Sequence, residues 1–268
     1  MPLEDVFPES EALKKLLVTL TPAEGKRLIA KGLLATDAVR NALRDGYLCI
    51  ALGTTSSYLV EEILGKYDKT KHVAGVVVPK GLSVTMRETR SYDAIFHKGK
   101  YVDSKKIVDI LGELGPGDVI VKSPNALDSD FVPIILLAHP TGGSIGSFIG
   151  AAAARNVALI MPASLEKCIP VAYAEICHSF GVSDWDYAIG MPVGAIAVPE
   201  GIPYTEIDAL DTLFGVTATP IAAGGVNGAE GSVTLFVEGD DQDVKEAHDF
   251  LASKIKGEPP FPHIDNVA

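Results

Sequence analysis

Two glycine-punctuated loops hold the residue types best suited to chemistry in this chain. In the first, Gly53, Thr54, Thr55, Ser56 and Ser57 stand between an apolar run at 47–52 and the segment YLVEEIL. A strand that ends in glycine and turns into a helix presents free backbone N–H groups, and the helix dipole there favours an anion. Four hydroxyl side chains add the donors that a phosphate accepts from. The same hydroxyls also serve as helix caps, which from spacing alone is their commoner use. The second loop, HPTGGSIG at 139–146, carries donors at Thr141 and Ser144, and Gly142 and Gly143 permit close backbone approach. A glycine pair more often reflects helix packing, and the alanines at 151–154 fit that use. Two such loops at strand ends of one α/β sheet say more than either alone, because ligands gather at that edge. Both loops are therefore expected to line one pocket.

Other candidates are weaker. His139 is a possible acid or base, although a lone histidine is usually structural. The segment GGVNGAEGS at 224–232 offers a third set of backbone donors, but four glycines in nine residues fit a mobile hairpin better. Cys49, Cys168 and Cys177 have no local His or Asp arrangement that marks a nucleophile, and none stands in a C-x-x-C pair. No H-x-x-x-H or H-E-x-x-H spacing occurs, so neither a metal nor another cofactor is expected.

The elements that must position these loops follow from periodicity. Residues 9–20 and 22–44 read as helices, the second with Leu28, Ile29, Leu33, Thr36, Val39 and Leu43 on one face. Thr21-Pro22 is a good start for it and Asp45-Gly46 ends it. Strands are expected at 47–52, 72–78, 118–122, 132–138 and 157–161, with a helix after each glycine-bearing loop. Residues 80–106 show no clear pattern. The alternation predicts an α/β fold, a three-layer and mostly parallel sheet with helices on both faces, over residues 1–193. From residue 194 the order strand, helix, strand, strand, helix predicts a small α+β, ferredoxin-like unit over 194–268, ending in a proline-rich irregular tail.

Composition limits the partners. The 268 residues are 47% hydrophobic and 22% charged, which excludes disorder for most of the chain. Lys+Arg 23 against Asp+Glu 35 gives a net charge of −12. That sign repels phosphate backbones and anionic lipids, so neither nucleic acid nor membrane is an expected partner. The start MPLEDVFPES lacks the basic-then-apolar order of a signal peptide, and no apolar run is long enough to span a bilayer. The expectation is a cytoplasmic protein.

The run KRLIAKGLLATDAVRNALRDGYLCIALGTTSSYLVEEILG resembles the opening of the ribose-5-phosphate isomerase and CoA-transferase-like superfamily, which includes the ligand domains of sugar-sensing repressors. GDVIVKSPNALD is similar to the strand and loop that carry D-G-A-D-E-x-D in the isomerases. HPTGGSIGSFIGAAAARNVALIMPASLEK is similar to their glycine-rich loop, helix, strand and terminal S-K region. The matches lie in order over roughly residues 26–167. The resemblance implies that residues 54–57 contact a phosphate and that Lys167 places a cation beside it, with Lys26 a lesser candidate. It also implies that the small C-terminal unit takes part in homo-oligomer contacts.

The same resemblance argues against isomerase activity. An aldose–ketose isomerase needs a carboxylate base within hydrogen-bond reach of the proton it moves. Laid on the family's acidic loop, the chain reads Lys122-Ser123-Pro124-Asn125-Ala126-Leu127-Asp128, so two acids become Lys122 and Asn125. Asn125 is closer to what the repressor domains carry. The family's later glutamate falls near Gly146, in a segment with no acid from Ser144 to Ala154. Binding of a phosphorylated or otherwise anionic small molecule is thus the expected function. The alternative is an enzyme of the same superfamily, either with Asp128 or Asp130 as base or as a CoA-handling transferase with Glu88 or Glu166 as nucleophile. A DNA-binding sensor is disfavoured, because only about 25 residues precede the matching helix.

Overall fold

The apolar run after Gly46 becomes a central strand of the main sheet. The structure, a computed structural model, describes residues 13–267. The first half comprises β1 (Lys14–Leu20), α1 (Pro22–Ala35), α2 (Asp37–Asp45), β2 (Tyr47–Ile50), α3 (Thr54–Leu64), β3 (Gly75–Val78), β4 (Gly81–Val84), β5 (Ala94–His97), β6 (Lys100–Val102), α4 (Ile107–Ile110) and β7 (Val119–Val121). Then follow β8 (Ala126–Leu127), β9 (Pro133–Leu137), α5 (Gly143–Ala154), β10 (Ala158–Pro162), β11 (Gly194–Ala197), β12 (Ile202–Tyr204), α6 (Glu206–Phe214), β13 (Thr217–Gly224), β14 (Ser232–Gly239) and α7 (Asp241–Phe250).

Six strands form a mixed sheet in the order β12-β10-β7-β2-β5-β6. The three pairings from β12 to β2 are parallel, and β2-β5 and β5-β6 are antiparallel. Three small antiparallel sheets accompany it: β1-β14-β13, β11-β9-β8 and β3-β4. The fold is thus mixed α/β, with a mostly parallel main sheet. Alternate residues of the central strands divide between two apolar clusters, as the period of two demands. Leu48, Ile50, Val119 and Val121 pack with Leu28, Leu33, Tyr58 and Leu210, whereas Cys49 and Ile120 pack with Ile107, Ile110, Ile145 and Phe148. Burial on both faces is why 47–52 reads as an unbroken apolar run.

Several expectations are corrected. Residues 14–20 are a strand, not the helix expected over 9–20, whose first residues lie outside the described range. Leu16, Val18 and Leu20 turn towards the core while Lys15, Leu17 and Thr19 face out, and the whole segment pairs with β14 from Lys14↔Gly239 to Leu20↔Val233. Sheet pairing outweighed helical spacing in a segment compatible with both. The helix expected over 22–44 is two helices. Thr36 is extended, and its hydroxyl donates to the Leu33 carbonyl (2.7 Å) and accepts from the Val39 amide (3.4 Å), so it closes α1 and opens α2.

The unpatterned residues 80–106 supply β4, β5 and β6, two of which extend the main sheet. The strand at 133–137 is not part of that sheet, because β9 pairs antiparallel with β8 and β11. Pairing also crosses the expected domain boundary at 193/194. β11 joins β9, β12 joins β10, and β1 from the start of the chain completes the sheet of β13 and β14. One apolar cluster runs from Leu28 and Leu48 to Leu235 and Ile255. The hairpin expected near residue 228 connects β13 and β14.

Candidate functional site

The register of the main sheet gathers the chemistry at one edge. Ile50 lies opposite Val121 on one side and Ala94 on the other. The residues beyond these pairs, Leu52 to Thr54, Lys122 to Asn125, and Asp93, therefore emerge together. A cavity of about 920 Å³ opens there, also lined by Thr141 to Ser144 at the start of α5, by Lys167, and by Arg87, Glu88 and Arg90 to Tyr92 from the stretch that the sequence left unplaced.

The first loop is built for close approach. The Gly53 amide donates to the His72 carbonyl (2.8 Å), and a Cβ on Gly53 would lie 3.1–3.2 Å from Ser56 and Ser123. Only Gly53 and Thr54 of this loop line the cavity. Thr55, Ser56 and Ser57 lie on the first turn of α3 and are buried. The Ser56 hydroxyl pairs with that of Ser123 (2.8 Å), which also accepts from the Ser56 amide (3.2 Å). Ser57 donates to the Thr54 carbonyl (2.6 Å), and the Thr55 hydroxyl has no partner among the described residues. These hydroxyls brace the turn beneath the cavity rather than facing it.

The second loop does reach the cavity. Gly142 and Gly143 hold φ of 81° and 58°, a left-handed region that side chains disfavour. A Cβ on Gly146 would meet the Thr141 carbonyl at 2.6 Å, so the three glycines are needed to turn tightly into α5. The N-cap residues of both helices are glycines without a capping side chain; in α3 the Ser123 hydroxyl takes the Ser56 amide, whereas among the described residues no side chain takes the first amides of α5. His139 lines the cavity with its Nδ1 beside the Thr141 hydroxyl (2.8 Å), and Asn125 lines it while its Oδ1 accepts from the Leu136 amide (3.0 Å).

Asp128 and Asp130 do not line the cavity. Burial acts to raise the Asp128 pKa, but amides of Tyr173 (3.0 Å), Val132 (2.8 Å) and Asp130 (2.9 Å) outweigh it and hold the carboxylate below its usual range. A carboxylate so satisfied braces a loop and is a poor base. Lys26 is committed to Glu166 (2.5 Å) and lies outside the lining, as does Glu166 itself, whereas Glu88 is part of it.

Lys167, expected from the sequence, lines the cavity, and most of the residues that sequence reasoning missed are charged as well. Five cations line the cavity (Arg87, Arg90, Lys106, Lys122 and Lys167), against two acids, Glu88 and Asp93. In a chain of net charge −12 this is a local reversal of sign. Asp93 accepts from the Ile107 amide (2.9 Å), and burial raises its pKa against the pull of Lys122. Burial lowers that of Lys122, which Asp93 only partly restores. Lys167 donates to the Pro124 carbonyl (2.8 Å), and burial, with Lys26 and Lys122 nearby, brings its pKa down to about 8. Arg90 is held by the Thr85 hydroxyl (2.7 Å) and carbonyl, which anchors the cationic rim to the β3-β4 hairpin. A basic residue in an unplaced segment gives no signal of where it points; of the missed cations, only Lys122 stood in a segment whose resemblance could have singled it out.

Among the described residues no group of three or more His, Cys, Asp or Glu could hold a metal ion, and no helix is long and apolar enough to cross a membrane. No family model, curated protein or solved structure matches the chain.

Proposed function

We propose that the cavity binds a phosphorylated or other anionic small metabolite at the edge where β2 and β7 end. The observation that carries this reading is the surplus of cations on the lining of a cavity in an otherwise acidic protein. Such a cavity concentrates the field and attracts anions that the rest of the surface repels. The uncapped first turn of α5 adds backbone donors to the same space. A volume of about 920 Å³ suits ligands from a sugar phosphate to a nucleotide.

The resemblance to the isomerase and CoA-transferase-like superfamily belongs to the same proposal, as does a three-layer arrangement with helices on both faces of the sheet. The two apolar clusters support that layering, since one takes in α1, α3 and α6 and the other α4 and α5. Isomerase activity is not part of the proposal. The cavity's acids are Glu88 and Asp93, neither on the loops where the family carries its carboxylates. Glu88 sustains one second reading, a CoA-handling transferase with Glu88 as nucleophile, because it is the only one of the two glutamates considered for that role to line the cavity.

A thermal-shift series with sugar phosphates, nucleotides and CoA esters tests the proposal. A ligand that binds only the folded state at 100 times its Kd adds about 2.7 kcal/mol of stability. A rise in melting temperature with at least one anionic class is expected, and lost in Lys122→Met. A flat response across all three classes overturns the proposal. Labelling of Glu88 by an acyl-CoA would favour the transferase.

A further inference from the structure

We propose that Lys167 is an imine-forming amine, so that the ligand of the cavity is an anion that also carries an aldehyde or ketone. This rests on the anion-binding reading above and sharpens it. Lys167 is marked out by what it lacks. It sits at the end of a single 3-10 turn, Leu165–Lys167, and its Nζ donates to the carbonyl of Pro124 at 2.8 Å. No carboxylate lies within ion-pairing distance of it among the described residues. Its neighbour Glu166 is taken by Lys26 from α1, at 2.5 Å. Glu206 from α6 is fully buried and turned to the Leu165 amide (2.9 Å), where burial favours its neutral form. From the end of β7, Lys122 adds a second cation.

The amine is thus fixed by one carbonyl and faces a cavity whose lining carries five cations, Lys167 included, against two acids. Burial and those cations favour the free base, which is the nucleophile. With a pKa near 8, roughly 100-fold more of it is free amine at pH 8 than of an ordinary lysine with pKa about 10.4. The step balances without a further reactant. Nζ attacks the carbonyl carbon, the C–N double bond forms, and the carbonyl oxygen leaves as water with the two protons that nitrogen gives up. Lys122 and the open turn of α5 line the same cavity and can hold the anionic group of such a ligand.

The probe is pyridoxal 5′-phosphate followed by borohydride, with pyridoxine 5′-phosphate, which has no carbonyl, as control. Adducts are mapped by peptide mass spectrometry between pH 6 and 9. The expected result is one dominant adduct at Lys167, rising with a midpoint near pH 8 and at least 10-fold faster than the mean of the surface lysines. Excess inorganic phosphate should protect it. Lys167→Arg keeps the charge and cannot form the imine; it should lose this adduct alone, with its circular dichroism unchanged. If pyridoxine phosphate raises the melting temperature while Lys167 stays unlabelled, the imine proposal falls and the anion-binding reading stands. If labelling merely spreads over surface lysines and neither phosphate compound shifts the melting temperature, both fall.

Discussion

Two clusters of charge in this protein use similar side chains to opposite ends. On one side of the molecule, Arg27 of α1 binds Glu62 (2.7 Å), Glu258 (2.9 Å) and Glu61, while Lys69 binds Glu61 (2.7 Å) and Lys31 binds Glu62 (3.0 Å). Arg27 and Lys69 both lie over the Tyr58 ring, at 4.8 and 4.4 Å. Every charge there has a charged partner from another element, so the knot ties α1, α3 and the C-terminal tail together. At the cavity, Lys122 and Lys167 have no such partners among the described residues, and Asp93 is held by backbone amides. Charge that is satisfied internally builds structure, whereas charge left to face a cavity is available to a ligand. Burial alone does not separate the two clusters; the partners do.

The comparison breaks first at Arg27. Arg27→Met takes the shared cation from Glu61, Glu62 and Glu258 and leaves the three carboxylates to Lys31 and Lys69 in a partly buried site, and breaking such a cluster typically costs about 3–5 kcal/mol. Urea titration should show that loss, while any anion-induced rise in melting temperature persists. An equal loss of both would mean that the knot and the cavity are not separable. The knot holds the guanidinium charged at every pH the protein survives, so this loss should not vary between pH 6 and 9.

His72, under the first loop, tests whether the cavity floor is acid-sensitive. It is fully buried, Nδ1 contacts the Tyr67 hydroxyl (3.1 Å), and burial lowers its pKa to about 4. The unfolded chain binds a proton at about 6.5 that the folded one refuses until about 4. Stability is therefore present above pH 6.5 and lost as pH falls towards 4, by at most about 3 kcal/mol from this group. Unfolding measured at pH 7 and pH 4.5 should converge for His72→Gln relative to the unaltered protein.

Lys122→Met should act in the reverse sense to Arg27→Met. It removes a charge-assisted contact worth about 1.5–3 kcal/mol, so the affinity for an anion should fall about 10- to 100-fold. Its urea midpoint should change little. A large loss of stability would place Lys122 with the structural cluster.

Ser56→Ala gives the smallest effect. Because Ser56 bonds Ser123, the variant should lose about 0.5–1.5 kcal/mol of stability by urea titration. Anion affinity should stay within about two-fold, since the hydroxyl lies beneath the cavity. A change confined to binding would restore it as a phosphate donor.

The first loop shows how far spacing carries a site. Strand, glycine and helix were all legible at 47–64, because a doubly buried strand and a helix start both leave marks in residue type. Which hydroxyls face the ligand was not. Each residue of a helix turns about 100° from the last, so Thr54 meets the cavity while Ser56 and Ser57 turn inward. Arg87, Arg90 and Lys106 were hidden for another reason. They lie among strands of three or four residues, too short to show a period.

By itself, then, the sequence determined the α/β class, the two loops and the acidic character of the whole, since these depend on local pattern and composition. Long-range pairing decided the rest. Residues 14–20 became a strand because β14 stood ready to pair with them, 225 positions on in Lys14↔Gly239. The cavity gained its positive lining because β5 entered the sheet antiparallel beside β2. No local pattern encodes either event, since the partners that stabilise them lie far away along the chain.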